Sequence, residues 1–177
     1  MSRVRCGERM PKGLKSTSSL IQIGATVTES APGTFTSQKV DLQLNPLDNE
    51  VFVVQAIDLD GKTPELIAAT RTECKLSVST TERTSVGSIA NSNVMAQLAT
   101  VIEEAGGAAI LNAKHAGEVP STVLEYVAII ATNDFYVNIQ GVNNASSMSG
   151  NVRLYGYRAR ADASTYAALV QSEVLTN

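Results

Sequence analysis

The residues of this chain that could do chemistry are few, and their spacing argues against a catalytic centre. His115, in the stretch NAKHAGE (residues 112–118), is the only histidine. As a general base or metal ligand it would need carboxylates or thiols beside it. Its neighbourhood offers Glu118 and little else. Asp58, Asp60 and Gly61, in DLDGKTPE (58–65), open like a calcium loop but lack the later acidic ligand, so a turn at Asp-Gly is the better expectation. Glu103 and Glu104 are adjacent; on a helix they splay apart and make no working pair. There is no phosphate loop, nucleophile elbow or dinucleotide fingerprint. The expectation is a protein that is not an enzyme and holds no cofactor and no metal.

The cationic side chains are more suggestive. Arg3, Arg5, Arg9, Lys12 and Lys15 stand against Glu8 alone in the first fifteen residues, a local balance of +4. The net charge is −3, so the remainder carries −7. A basic arm on an acidic body suits contact with nucleic acid or the acidic face of a neighbour, or else it is a solvated terminus. Arg153, Arg158 and Arg160 line one late strand and its exit. They could face an interface or the interior of an assembly, or simply flank an apolar strand and discourage stacking. Charged residues are 18% of the chain, below the usual share of about 25%. Low charge fits a surface that meets other subunits, and equally a Ser/Thr/Asn-rich β protein. Aromatics are 5% and Trp is absent, which argues against a stacking platform for bases or sugars.

Two cysteines, Cys6 and Cys74, make no disulfide framework and fit free thiols in a reducing cytoplasm. The opening residues, MSRVRCGERMPKGLK, have charge but no apolar run behind them, so a signal peptide is not expected. No stretch approaches the roughly 18 apolar residues of a membrane helix.

The elements that position these groups read mostly as strands. SLIQIGATV (19–27) places Ile21, Ile23, Ala25 and Val27 on one face. FTSQKVDLQL (35–44) turns Val40, Leu42 and Leu44 inward. EVFVVQAIDLD (50–60) is a fuller run, as for a strand buried on both sides. TECKLSVSTTERT (72–84) sets Cys74, Leu76 and Val78 against Lys75, Ser77 and Ser79. Residues 92–105 read as a helix, from Met95, Leu98, Val101 or Ile102, and Ala105, with Ser92 as cap and Gly106-Gly107 as stop. AAILNA (108–113) reads as a short strand and STVLEYVAIIAT (121–132) as a buried one. FYVNIQ (135–140) and the run from Val152 form a hairpin across a polar loop. ADASTYAALVQSEVL (161–175) suits a terminal helix capped by Asp162 or Ser164. The expected core holds Val40, Leu42, Leu44, Val53, Leu76, Val78, Ile129, Val137, Ile139 and Leu154.

The expected fold is therefore all-β: an eight-stranded antiparallel β-sandwich of the single jelly-roll type, with one inserted helix and a short C-terminal helix. Residues 1–18 form the basic arm and 19–177 a single domain. The stretches KVDLQLNPLDNEVFVVQAIDLD (39–60) and ATNDFYVNIQGVNNASSMSGNVRLYGYRARA (131–161) look like the opening and closing strands of the small single-jelly-roll major capsid proteins of icosahedral viruses of prokaryotes. The resemblance spans most of residues 19–175 and is one of style, since that family has no diagnostic motif. It implies a virion shell subunit, folded in the host cytoplasm, that associates with many copies of itself, with or without a second capsid protein beside it, its arm touching a neighbour, nucleic acid or an internal membrane. The alternatives are a filament or pilus-like subunit that exchanges a strand, and a monomeric jelly-roll binding module.

Overall fold

The computed structural model describes residues 11–116 and 125–175. Its strands are β1 (Leu14–Ser16), β2 (Ile21–Thr28), β3 (Thr36–Asp41), β4 (Glu50–Gly61), β5 (Arg71–Ser79), β6 (Val94–Ala105), β7 (Ala108–Ala116), β8 (Ala128–Ile130), β9 (Asp134–Val142) and β10 (Ser149–Ala161). One helix, α1 (Ala163–Leu175), follows.

The ladders are nested about the middle of the chain. From the outside in, β2 pairs with β10, β3 with β9, β4 with β8 and β5 with β6, all antiparallel. This long hairpin then folds over on itself. β10 gains β4 on its other edge, and β9 gains β5. Two five-stranded sheets result. The first runs β2-β10-β4-β8, with β1 beside the far end of β10; the second runs β3-β9-β5-β6-β7.

Alternation places one face of each strand between the sheets. Phe52, Ile57, Leu76, Phe135, Ile139 and Leu154 are fully buried there. Of the expected core, Leu42, Leu44, Val53, Leu76, Val78, Val137, Ile139 and Leu154 are buried, while Val40 and Ile129 are half-buried against apolar clusters. Val51 and Val53 belong to a second cluster outside the first sheet, where Tyr166, Leu169 and Val170 of α1 pack on Ala159 and Ala161. β4 is thus buried on both faces over Val51–Val54, as its unbroken apolar run required.

The inserted helix is a correction: residues 94–105 form β6. Val94, Met95, Ala96, Leu98, Ala99 and Thr100 are buried, so the strand is covered on both faces. A segment apolar on both sides carries no period, and the three-to-four spacing was incidental. Gly106 and Gly107, at φ +64° and +84°, are the two central residues of the β6–β7 turn, closed by the pair Ala105 and Ala108. Positive φ at both positions is what a two-residue hairpin demands and glycine supplies. Among the described residues ten strands stand where eight were expected. β7 is longer than the expected strand, running through His115. β1 lies within residues 14–16 of the expected arm and pairs with Ala159–Ala161. The expected strand 121–132 shrinks to β8, its first residues lying outside those described.

A side-chain-free position marks where β10 bends against β4. β10 shifts register at Gly156, where a Cβ would lie 2.2 Å from the Val53 carbonyl oxygen and 2.6 Å from the Phe52 ring. At Gly24 in β2 a Cβ would meet nothing within 4 Å. Gly156→Ala should therefore cost at least about 3 kcal/mol by overpacking, a Tm drop of roughly 6–12 °C, whereas Gly24→Ala should be neutral or slightly stabilising. Thermal unfolding of the two variants checks this; equal effects would contradict it.

Candidate functional site

With the space between the sheets filled, the groups that can meet a partner lie on the two loop-bearing rims and the outer faces. On the first rim, glutamates fix the loops. Glu29, 4% exposed at the end of β2, accepts from the backbone N–H of Gly141 (2.6 Å) and Met148 (2.7 Å). Glu65, between β4 and β5, accepts from Ala145 N–H (2.7 Å), Ser146 N–H (3.2 Å) and the Ser146 hydroxyl. Glu104 at the end of β6 accepts from Ala69 and Gly107 N–H. Asn144 completes the set: its amide donates to the Glu73 carbonyl (2.8 Å) and accepts from Glu65 N–H (3.0 Å). A carboxylate facing several N–H donors makes charge-assisted bonds, so each of these ties is stronger than a neutral one. The Ser146 hydroxyl and Ala145 N–H hold Glu65 below the usual carboxylate range, and the Ala69 and Gly107 amides do the same for Glu104. The Asn/Ser-rich loop between β9 and β10 is consequently a fixed surface.

On the opposite rim, Arg158 donates to the carbonyls of Leu42 (2.8 Å) and Gln43 (3.1 Å) and to Glu50 (3.0 Å). It holds the β3–β4 corner. Arg160 pairs with Asp48 at 2.5 Å. Asp162 caps α1, accepting from Thr165 N–H at 2.7 Å, which holds its carboxyl low. The helix turns Tyr166, Leu169, Val170 and Glu173 to the sheet. Glu173, 6% exposed, accepts from Ala131 (3.0 Å) and Thr132 (2.9 Å) N–H. Burial outweighs those bonds and pushes its carboxyl up. Beside it lies an apolar cavity of about 280 Å³, lined by Leu44, Pro46, Ala131, Tyr166 and Val170 among others.

The residues singled out in the sequence do not converge. Arg3, Arg5 and Arg9 lie outside the described residues. Lys12 and Lys15 are exposed, Lys15 opposite Arg160 across the β1–β10 ladder. Arg158 and Arg160 serve the corner just described, while Arg153 is exposed on the outer face of the first sheet, between Gly24 and Asp58. Asp58 and Asp60 sit within β4, not in a turn, and face outward into an open cleft of about 500 Å³ with Thr26, Asn151 and Arg153. Tyr155 donates to Asp58 (2.8 Å) and Asn151 to Asp60 (3.3 Å). His115 is exposed on β7 opposite Leu98. Glu103 and Glu104 point to opposite faces of a strand. Cys74 is buried, and its thiol is pushed up to about 11. Among the described residues no three His, Cys, Asp or Glu side chains gather to hold a metal, and no helix is long and apolar enough to cross a membrane. Sequence reasoning missed Glu29, Glu65 and Glu173, because each binds backbone N–H groups far away along the chain.

No family model and no curated protein matches this chain. Among solved structures, a chain from Desmodium yellow mottle tymovirus aligns with 84% of this chain and 93% of its own length, at 10% identity and a TM-score of 0.29.

Glu173 gives a pH dependence with a definite sign. Its carboxyl is raised in the folded protein, so its contribution to stability is complete below the ordinary value of 4.5 and is lost as pH rises through the folded value. Glu173→Gln keeps an acceptor for the two N–H groups without a buried charge. Between pH 4.5 and 7.5 the wild-type Tm should fall relative to that of Glu173→Gln; parallel curves in thermal melts would contradict the assignment.

Proposed function

We propose that this chain is a viral structural protein, a capsid subunit that packs in many copies into the closed shell of a virion. The observation that carries the reading is the strand order. A long hairpin of four nested ladders, folded once so that the sheets run β2-β10-β4-β8 and β3-β9-β5-β6, is the arrangement expected of a single jelly roll, a fold that virus shells use repeatedly. On this reading β1 and β7 are additions to the eight strands. The resemblance of residues 39–60 and 131–161 to small capsid proteins of prokaryotic viruses supports the same class, and the strand order bears equally on shells of any host.

Other features fit a tile. The interior is filled by large apolar side chains, so recognition falls to rims and outer faces. Both rims are fixed by hydrogen bonds between loops, which lets an edge meet neighbours in a constant shape. The basic residues of the arm enter the fold at a set point: Asp162 N–H donates to the Gly13 carbonyl (3.0 Å) and Leu14 begins β1. Gly13 lies beside the start of α1, and we assign the arm to the acidic surface of a neighbouring subunit in preference to nucleic acid or an internal membrane. Five cations are few for neutralising a genome. The protein would fold in a host cytoplasm and act in the virion.

Negative-stain images of the purified protein should show closed particles of uniform size. Filaments or monomers at every concentration would contradict the reading. Removing residues 1–10 should leave a folded sandwich that assembles at higher concentration, with an effect that shrinks as salt rises from 0.1 to 1 M and the screening length falls from about 10 to about 3 Å. Unchanged assembly would show that the arm is not a tether; normal assembly with loss of nucleic acid would move its partner to the genome.

A further inference from the structure

β7 is the outermost strand of the second sheet. β6 covers one of its edges; its other edge meets no strand among the described residues. Side chains from Ala108 to His115 are exposed along its length. Two of the large exposed apolar side chains sit here on opposite faces, Ile110 at 69% and Leu111 at 62%. The strand has no proline, no bulge and a single charged residue, Lys114. Long flat edges of this kind are pairing templates, which proteins that avoid association interrupt.

The register follows from the turn. Ala105 and Ala108 close the two-residue Gly-Gly turn, so alternation directs the backbone N–H and C=O of Ala109, Leu111 and Ala113 to the open edge. A two-fold axis at Asn112, the middle of the strand, then makes Leu111 of one copy and Ala113 of the other a hydrogen-bonded pair, twice over. Asn112 faces Asn112 as a non-bonded pair, where Cα atoms approach most closely. Lys114 lands beside Ile110 of the partner copy.

Charge supports this partner. On the outer face the cross-strand rows are Arg71–Glu103–Ile110 and Lys75–Ala99–Lys114. They border a cavity of about 190 Å³. Arg71 and Lys75 both engage Glu73, at 2.7 and 2.6 Å. Glu103 and Lys114 form no ion pair among the described residues. Across the two-fold, Lys114 of each copy lies over Ile110 of the other and reaches Glu103 beyond it, covering the apolar side chain and joining opposite charges twice. The β6–β7 hairpin thus carries both halves of a self-complementary contact, as an isologous interface requires.

We propose that β7 joins two copies of this chain by antiparallel pairing centred on Asn112, making one continuous ten-stranded sheet. This deepens the shell reading by naming one of its subunit contacts. The test is Asn112→Cys in full-length protein with Cys6→Ser, oxidised and run on a non-reducing gel. More than half of the chain should become covalent dimer, and Lys114→Cys, off the axis, should not cross-link. Lys114→Glu should raise the concentration for half-association at least about fivefold, and adding Glu103→Lys should restore it. Absence of the Asn112→Cys dimer, equal cross-linking of Lys114→Cys, or a double variant no better than the single one overturns the pairing. Particles without the cross-link would overturn the pairing and leave the shell; cross-linked dimers that build no particle would uphold the pairing and contradict the shell.

Discussion

The ladder between β4 and β10, from Glu50↔Arg160 to Gly61↔Gly150, is the constraint on which the rest depends. Without it the nested pairs would remain an open ribbon with one greasy face. With it the ribbon folds over, β9 meets β5, and Phe52, Leu76, Phe135 and Leu154 meet between the sheets. The ladder joins residues about a hundred positions apart. Its formation follows the closure of a long loop, and folds dominated by such contacts form slowly. The glycine at 156 is the local concession: β10 kinks there because the Val53 carbonyl and the Phe52 ring leave no room for a side chain.

The rims follow from this closure. Rolling the ribbon brings unrelated loops side by side, and loops carry backbone N–H groups that the ladders cannot satisfy. Glu29, Glu65 and Glu104 meet them on one rim; Asn133 and Glu173 meet them on the other, with Arg158 taking up carbonyls. These polar residues thus have a structural purpose: they fix the shape of the two rims. The outer face of the first sheet adds a small second core under α1, where the most buried charged group of the helix is a carboxylate.

Alternation revealed β2, β3, β5, β9 and β10, since each alternates apolar side chains on the inner face with polar ones on the other, and an unbroken apolar run revealed both faces of β4. It failed at β6, whose two buried faces erase the period, and at β1, where three residues in a basic segment carry no pattern of their own. Asp58 and Asp60 read as a turn because Asp-Gly commonly makes one; pairing with Arg153 and Asn151 keeps the chain extended to Gly61. The cation clusters were legible as composition, yet Arg158 and Arg160 turned out to tie a corner formed by residues 42–50. Ties between distant positions have no local spacing to read. The self-complementarity of β7 was likewise hidden, because residues 108–115 look like an ordinary strand until their exposure is known.

If this 18.7 kDa chain builds a shell, its association must be cooperative. Sedimentation velocity of the full-length protein over a wide concentration range measures that. A small species, monomer or dimer, should give way to one discrete particle of many copies with little between them. A single monomer peak at every concentration, or a continuous ladder of growing oligomers, would contradict it.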